Sequence, residues 1–181
     1  NWLESQRKNG KSIGFVPTMG ALHQGHLSLI ETSKQKAEVT VCSIFVNPTQ
    51  FNDPADFSKY PVTIEKDIEL LAAAGSTALF LPDVPEIYPN GRPESKKYEL
   101  GYLETVLDGS SRPGHFQGVC TVVERLLEIV APDHLMLGQK DYQQCLVITR
   151  LLELMGNAGN GIQIHICPTL REENGLAMSS R

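Results

Sequence analysis

Short β-branched runs alternate along this chain with longer stretches of helical spacing, and that alternation leaves few folds open. Residues 12–16 (SIGFV) and 39–46 (VTVCSIFV) read as buried parallel strands, ended by Pro17 and by Asn47-Pro48. Between them residues 26–37 place Leu27 and Ile30 on one helical face, which makes a βαβ unit. Residues 62–74 predict a second helix closed by Gly75, and residues 78–81 a third strand. A Pro- and Gly-rich connection over residues 82–94 and a stretch without clear period lead to a helix over residues 116–130, which stops before Pro132. A strand over residues 134–137, a helix over 142–155 and a strand over 161–166 complete the pattern. The expected fold is α/β, a Rossmann-like parallel sheet with helices on both faces.

Length and charge narrow the function. The 181 residues suit one domain with a well-filled core, and there is no repeat or low-complexity tract. Sixteen Lys and Arg against 21 Asp and Glu give a net charge of −5, the wrong sign for binding nucleic acid through the overall field. No apolar run reaches the roughly 20 residues of a membrane span, and the opening NWLESQRKNGK lacks the apolar centre of a signal peptide. The chain therefore reads as cytoplasmic, with neither nucleic acid nor membrane as partner. Cys42, Cys120, Cys145 and Cys167 stand singly in apolar surroundings, as buried free thiols rather than zinc ligands.

In a doubly wound sheet ligands gather beyond the carboxyl ends of the strands, so the loops that follow strands are where chemistry is expected. The first, PTMGALHQGH, carries Gly20 and Gly25, which let backbone approach a ligand, and places His23 and His26 at the start of a helix. A helix N-terminus offers N–H donors and partial positive charge to an anion, and two imidazoles could stabilise charge on a leaving pyrophosphate. The bland alternative is that one histidine caps the helix and the other lies on the surface. In the second loop Asn47 and Gln50 offer neutral amides suited to a small hydroxy acid, though Asn47 before proline is also a common turn former. In GQKDYQQ, Lys140 lies where a phosphate would sit, Asp141 could cap the helix or hold a ribose hydroxyl, and Gln144 falls one turn later. The final AMSSR offers Ser179, Ser180 and Arg181 as a phosphate clamp.

His23-Gln24-Gly25-His26 after a first parallel strand resembles the HxGH nucleotidyltransferase superfamily. Alone it leaves adenylyl- and cytidylyltransferases and aminoacyl-tRNA ligases open. Together with SIFVNPTQF, SRPGHFQGV, GQKDYQQ and GLAMSSR, in this order and spacing, it resembles the pantoate–β-alanine ligases over nearly the whole chain. The resemblance implies ATP-dependent condensation of pantoate with β-alanine through a pantoyl adenylate, releasing pyrophosphate and then AMP. It implies that residues 1–181 are the nucleotide-binding domain, with the family's smaller C-terminal domain absent, and that the unit is a homodimer.

The resemblance also assigns roles. Met19, Gly20, Ala21, Leu22, His23, Gln24, Gly25 and His26 would line the ATP site with Gly138, Gln139, Lys140, Asp141, Leu170, Met178, Ser179, Ser180 and Arg181. His26 and His23, Lys140, Ser179, Ser180 and Arg181 would carry the catalysis, with His26 as the family's proposed acid. Gln50 and Gln144, helped by Asn47, would hold pantoate and β-alanine. Magnesium would bridge the ATP phosphates without direct protein ligands. Arg112 and His115 fall in a matching segment, with either a site role or a loop role. Another HxGH adenylyltransferase and a nucleotide-binding sensor without chemistry are the competing readings.

Overall fold

A parallel sheet forms the centre of the computed structural model, which describes residues 2–48, 59–91 and 96–180. In chain order the elements are α1 (Trp2–Lys8), β1 (Ile13–Thr18), α2 (Gln24–Lys36), β2 (Val39–Ile44), α3 (Ile64–Ala74), β3 (Ala78–Phe80), α4 (Val84–Ile87), α5 (Leu107–Ser111), α6 (His115–Val130), β4 (His134–Gly138), α7 (Tyr142–Met155) and β5 (Gln163–Cys167). The sheet runs β3-β2-β1-β4-β5 with every pairing parallel. Side chains alternate across it as the period of a strand requires. Ile13, Phe15, Val39, Val41, Leu135 and Leu137 pack with α6 and α7 on one face. Val16, Cys42, Ile44 and Met136 pack with Leu29, Ile30 and Leu71 of α2 and α3 on the other. Helices therefore cover both faces, and the four cysteines are buried and free, as expected.

The strand order sets the place of the site. From β1 the chain moves outward through β2 to β3, then returns past its starting point to β4 on the opposite side of β1. The carboxyl ends of β1 and β4 thus flank the switch point, where loops diverge and leave a crevice.

Several boundaries differ from the sequence expectation. β1 continues through Pro17 to Thr18, with Pro17 opposite Ser43 of β2. The ladder to β4 covers Gly14 and Phe15 only, so the proline falls where β1 has parted from that neighbour. β2 ends at Ile44 rather than residue 46, although Phe45 N–H still donates to the Thr18 carbonyl at 3.1 Å. α2 begins two residues before His26, because His23 rather than a later residue is its N-cap. Gly75 closes α3 in the left-handed conformation, as predicted. Helix α1 was not foreseen; Arg7 holds it in place, donating to the carbonyls of Val130 and Ala131 at the C-terminal end of α6. Among the described residues no helix is long and apolar enough to cross a membrane.

Candidate active site

His23 and His26 cap helix α2 reciprocally. The His23 Nδ1 accepts from Gly25 N–H at 3.1 Å, and His26 Nδ1 accepts from His23 N–H at 3.2 Å. Within the first turn the Gly25 N–H is thus taken by a ring and the His26 and Leu27 N–H groups by the His23 carbonyl, and the two ring centroids lie 4.1 Å apart. This corrects the picture of open helix-terminal amides waiting for an anion. Because both Nδ1 atoms are acceptors, each ring carries its proton on Nε2, and that N–H is the donor left to a ligand. A Cβ at Gly25 would stand 2.8 Å from the His23 ring, so only glycine lets the imidazole fold over its own cap.

Electrostatics keep the pair neutral. Burial, followed by the neighbouring His23, lowers the His26 pKa from 6.5 to about 4, against a smaller opposing pull from Asp67 and Asp141. Burial and then Lys140 lower that of His23. Near pH 7 the site therefore presents two neutral N–H donors instead of imidazolium ions.

Asp67 organises this loop, and the sequence reading passed over it. It lies on the first turn of α3, 0% exposed, and its carboxylate accepts from Ala21 N–H and Leu22 N–H at 2.9 Å and from the Thr63 hydroxyl at 3.1 Å. Ala21 has φ of 49° and Gly20 of 82°, left-handed backbone that aims these amides at the carboxylate. Ala21 and Leu22, expected to line the ATP site, thus turn their N–H groups to Asp67, and Leu22 is buried in the core beneath. Gln24 is exposed as the first residue of α2.

Distant segments meet over the histidines. A cleft of ≈ 900 Å³ is lined by Thr18, Met19, His23, Gly25 and His26, by Gly138, Lys140, Asp141 and Gln144, and by Leu170, Met178, Ser179 and Ser180. Ser180 Oγ donates to the Ala21 carbonyl at 2.8 Å, joining residues 159 positions apart. Met178 N–H donates to the Leu170 carbonyl at 3.1 Å, and Arg171 bridges to Ala177, so residues 170–178 form a turned-back strap. Gln139 lines a neighbouring recess of ≈ 590 Å³ with Lys140, Tyr142, Arg171 and Ala177. Lys140 pairs with Asp141 at 3.0 Å, both partly in solvent, a bond that yields easily to a phosphate.

The opposite wall comes from another part of the chain. Arg112 and His115 line it with Phe45, Phe116, Val119 and Val122, and Asp108 and Ser111 border the same side, so an apolar surface is edged by a cation and a carboxylate. Arg112 approaches His115 Nε2 at 3.3 Å. Gln144 lies on the cleft, and its neighbour Gln143 borders it too but commits its amide to the chain, donating to the Leu103 and Val106 carbonyls and accepting from Asp108 N–H. Asn47 is 1% exposed, and its amide donates to the Gly118 carbonyl at 3.2 Å and accepts from Tyr88 Oη at 3.1 Å. It ties the loop after β2 to α6 and is not turned to the cleft. Gln50 and Arg181 lie outside the described residues. Among the described residues no group of three or more His, Cys, Asp or Glu is placed to hold a metal ion.

Comparison with known proteins agrees with this geometry. The family described as pantoate-beta-alanine ligase matches residues 1–181. The pantothenate synthetase of Cytophaga hutchinsonii is 52% identical over 178 residues, which are 98% of this chain and 61% of that protein. That of Moorella thermoacetica is 51% identical over 181 residues, 100% of this chain and 62% of that one. The chain thus spans about three fifths of the length of these curated relatives. A crystal structure of pantoate-beta-alanine ligase from Francisella tularensis complexed with beta-gamma ATP and beta-alanine superposes with a TM-score of 0.91 at 44% identity, covering 98% of this chain and 68% of that one. Pantothenate synthetase from Thermus thermophilus gives 0.88 at 44% identity, with 98% and 64% covered.

Proposed function

We propose, from the premise that this chain belongs to the pantoate-beta-alanine ligase family, that it holds the nucleotide-binding domain of an enzyme condensing pantoate with β-alanine at the expense of ATP. The pantoate carboxylate attacks the α-phosphorus of ATP, forming pantoyl adenylate and releasing pyrophosphate. The β-alanine amine then attacks the acyl carbon and displaces AMP. No covalent bond to the protein is needed, so the residues act by positioning and by stabilising charge.

The observation that carries this reading is the neutral histidine pair at the switch point, with both free N–H groups on a cleft closed by Ser180. As pyrophosphate departs, negative charge grows on its oxygens. The Nε2–H groups of His26 and His23 donate to it, and the approach of polyanionic phosphate raises both pKa values toward the imidazolium form. His26 can then yield a proton as the family's acid without carrying a charge in the empty site. Lys140 leaves Asp141 for the phosphates, while Ser179, Ser180 and Arg181 close over them. Magnesium would accompany ATP and offset the charge of its phosphates, with no direct protein ligand assigned to it.

On the other side, Gln144 and Gln50 bind the pantoate hydroxyls, and the wall of Phe45, Phe116 and Val119 receives the substrate's geminal methyl groups. Asn47 serves by tying the chain just after β2 to α6. A homodimer working in the cytoplasm belongs to the same reading and rests on the resemblance alone.

The test is pantoate-dependent exchange of labelled pyrophosphate into ATP, on this chain and on the chain extended to its relatives' length. Exchange in either establishes adenylate formation. ATP binding without exchange in both would replace the reading with a nucleotide sensor.

A further inference from the structure

Of the segment SRPGHFQGV only Phe116 and Val119 have a part in the chemistry above, yet the fold also brings its arginine to the cleft. Arg112 is the C-cap residue of α5, half-buried, and among the described residues its guanidinium reaches only the His115 ring, at 3.3 Å. Among the described residues the ion pairs are those of Lys34, Lys96, Arg125, Lys140 and Arg150, so no carboxylate there lies within ion-pair distance of Arg112. His115 is itself 7% exposed at the first position of α6, which limits how far the guanidinium can swing. Asp108 lines the same cleft but forms no ion pair with Arg112, so a permanently charged, oriented fork that has no carboxylate partner among the described residues stands ready to receive an anion.

We infer that Arg112 binds the carboxylate of β-alanine, and this rests on the ligase reading given above. The phosphates are the poorer occupant. Their donors come from residues 23–26, 140 and 178–180, which are bonded to one another or share one lip of the cleft. Arg112 instead stands on the wall with Phe45, Phe116 and Val119, which suits a small organic acid. Of the two organic carboxylates, pantoate's must act as nucleophile and loses its charge on forming the adenylate. A fixed guanidinium there would stabilise the ground state more than the transition state. The β-alanine carboxylate takes no part in bond making and stays ionised from binding to product. It is the one carboxylate that a permanent cation can hold through the reaction without opposing it. His115 accepts from the guanidinium and sets its direction, as a positioning residue.

The experiment compares Arg112→Ala and Arg112→Lys with the parent protein, extended to its relatives' length, in two assays. Pantoate-dependent pyrophosphate exchange reports the first step. AMP release driven by β-alanine, or by 3-aminopropanamide as an uncharged mimic, reports the second. The expected result for Arg112→Ala is exchange within about threefold of the parent and a KM for β-alanine raised about 10- to 100-fold. Its KM for the amide should be unchanged, so that the preference for the acid disappears. Arg112→Lys should keep part of the preference, since it retains the charge without the fork. An unchanged β-alanine KM overturns the inference. So does an equal fall in exchange, which would place Arg112 on ATP, pantoate or the fold. Absence of exchange in the parent would instead overturn the ligase reading.

Discussion

At the scale of single residues the two histidines are both structure and chemistry, and His26→Gln separates the roles. Glutamine is a usual partner at the third position of a capping box, so this variant keeps an acceptor for His23 N–H while removing the ring. Pyrophosphate exchange should fall about 100-fold or more, the usual loss for a donor on developing charge, while pantoate affinity changes little. The same variant tests the titration. Folded His26 titrates at about 4 against 6.5 for a free imidazole, so between these values the unfolded chain binds a proton that the folded one refuses. Stability should therefore fall as pH drops from 6.5 toward 4, by at most about 3 kcal/mol from this group, and be flatter in His26→Gln. Urea unfolding at pH 7 and pH 4.5 measures it. Asp67→Asn is the second test at this scale. It exchanges one carboxylate acceptor for an NH₂ facing a backbone N–H, and should lower stability by about 1–3 kcal/mol. Asp67 escaped the sequence because an acidic residue in a first helical turn already has an explanation in the helix dipole. Nothing local says that two amides 45 and 46 residues earlier will meet it.

At the scale of elements, period and length carried the reading where runs were long. Helices α2, α3, α6 and α7 and all five strands were expected to within a few residues. The errors fall at short pieces. α1, α4 and α5 have 7, 4 and 5 residues, too few to show a period. The adjacent glutamines of α7 illustrate a second limit. One residue along a helix turns the side chain by about 100°, so of two glutamines bordering one cleft Gln143 anchors residues 103–108 and Gln144 does not. Phase alone decides which, and phase depends on where α7 docks. Asn47 was read as a ligand group for the related reason that a buried amide and a binding amide look alike in one dimension. Gln143→Ala should free the segment around Val106 and Leu107, leaving two carbonyls and one amide without this partner. Hydrogen exchange at Asp108 N–H should quicken at least about tenfold, with β-sheet amides unchanged.

At the scale of the whole molecule, the sheet order places one half of the site on each side of β1. Residues up to about 80 supply the histidine loop and the carboxylate that pins it; the later residues supply Lys140, Gln144 and the strap over residues 170–180. A nucleotide seated between them should couple both halves, so saturating ATP is expected to raise Tm, and Ser180→Ala to reduce that rise while altering the ligand-free Tm little. The bond from Ser180 to Ala21 also has a bearing on synthesis. On the ribosome, which adds about 5–20 residues each second, the histidine loop and Asp67 are complete long before the strap that covers them emerges. A nascent chain can thus form its capped, neutral histidine pair early and still have no closed chamber for nucleotide. Tight binding awaits the strap, so a product stalled before residue 170 would fold its first half yet fail to sequester ATP.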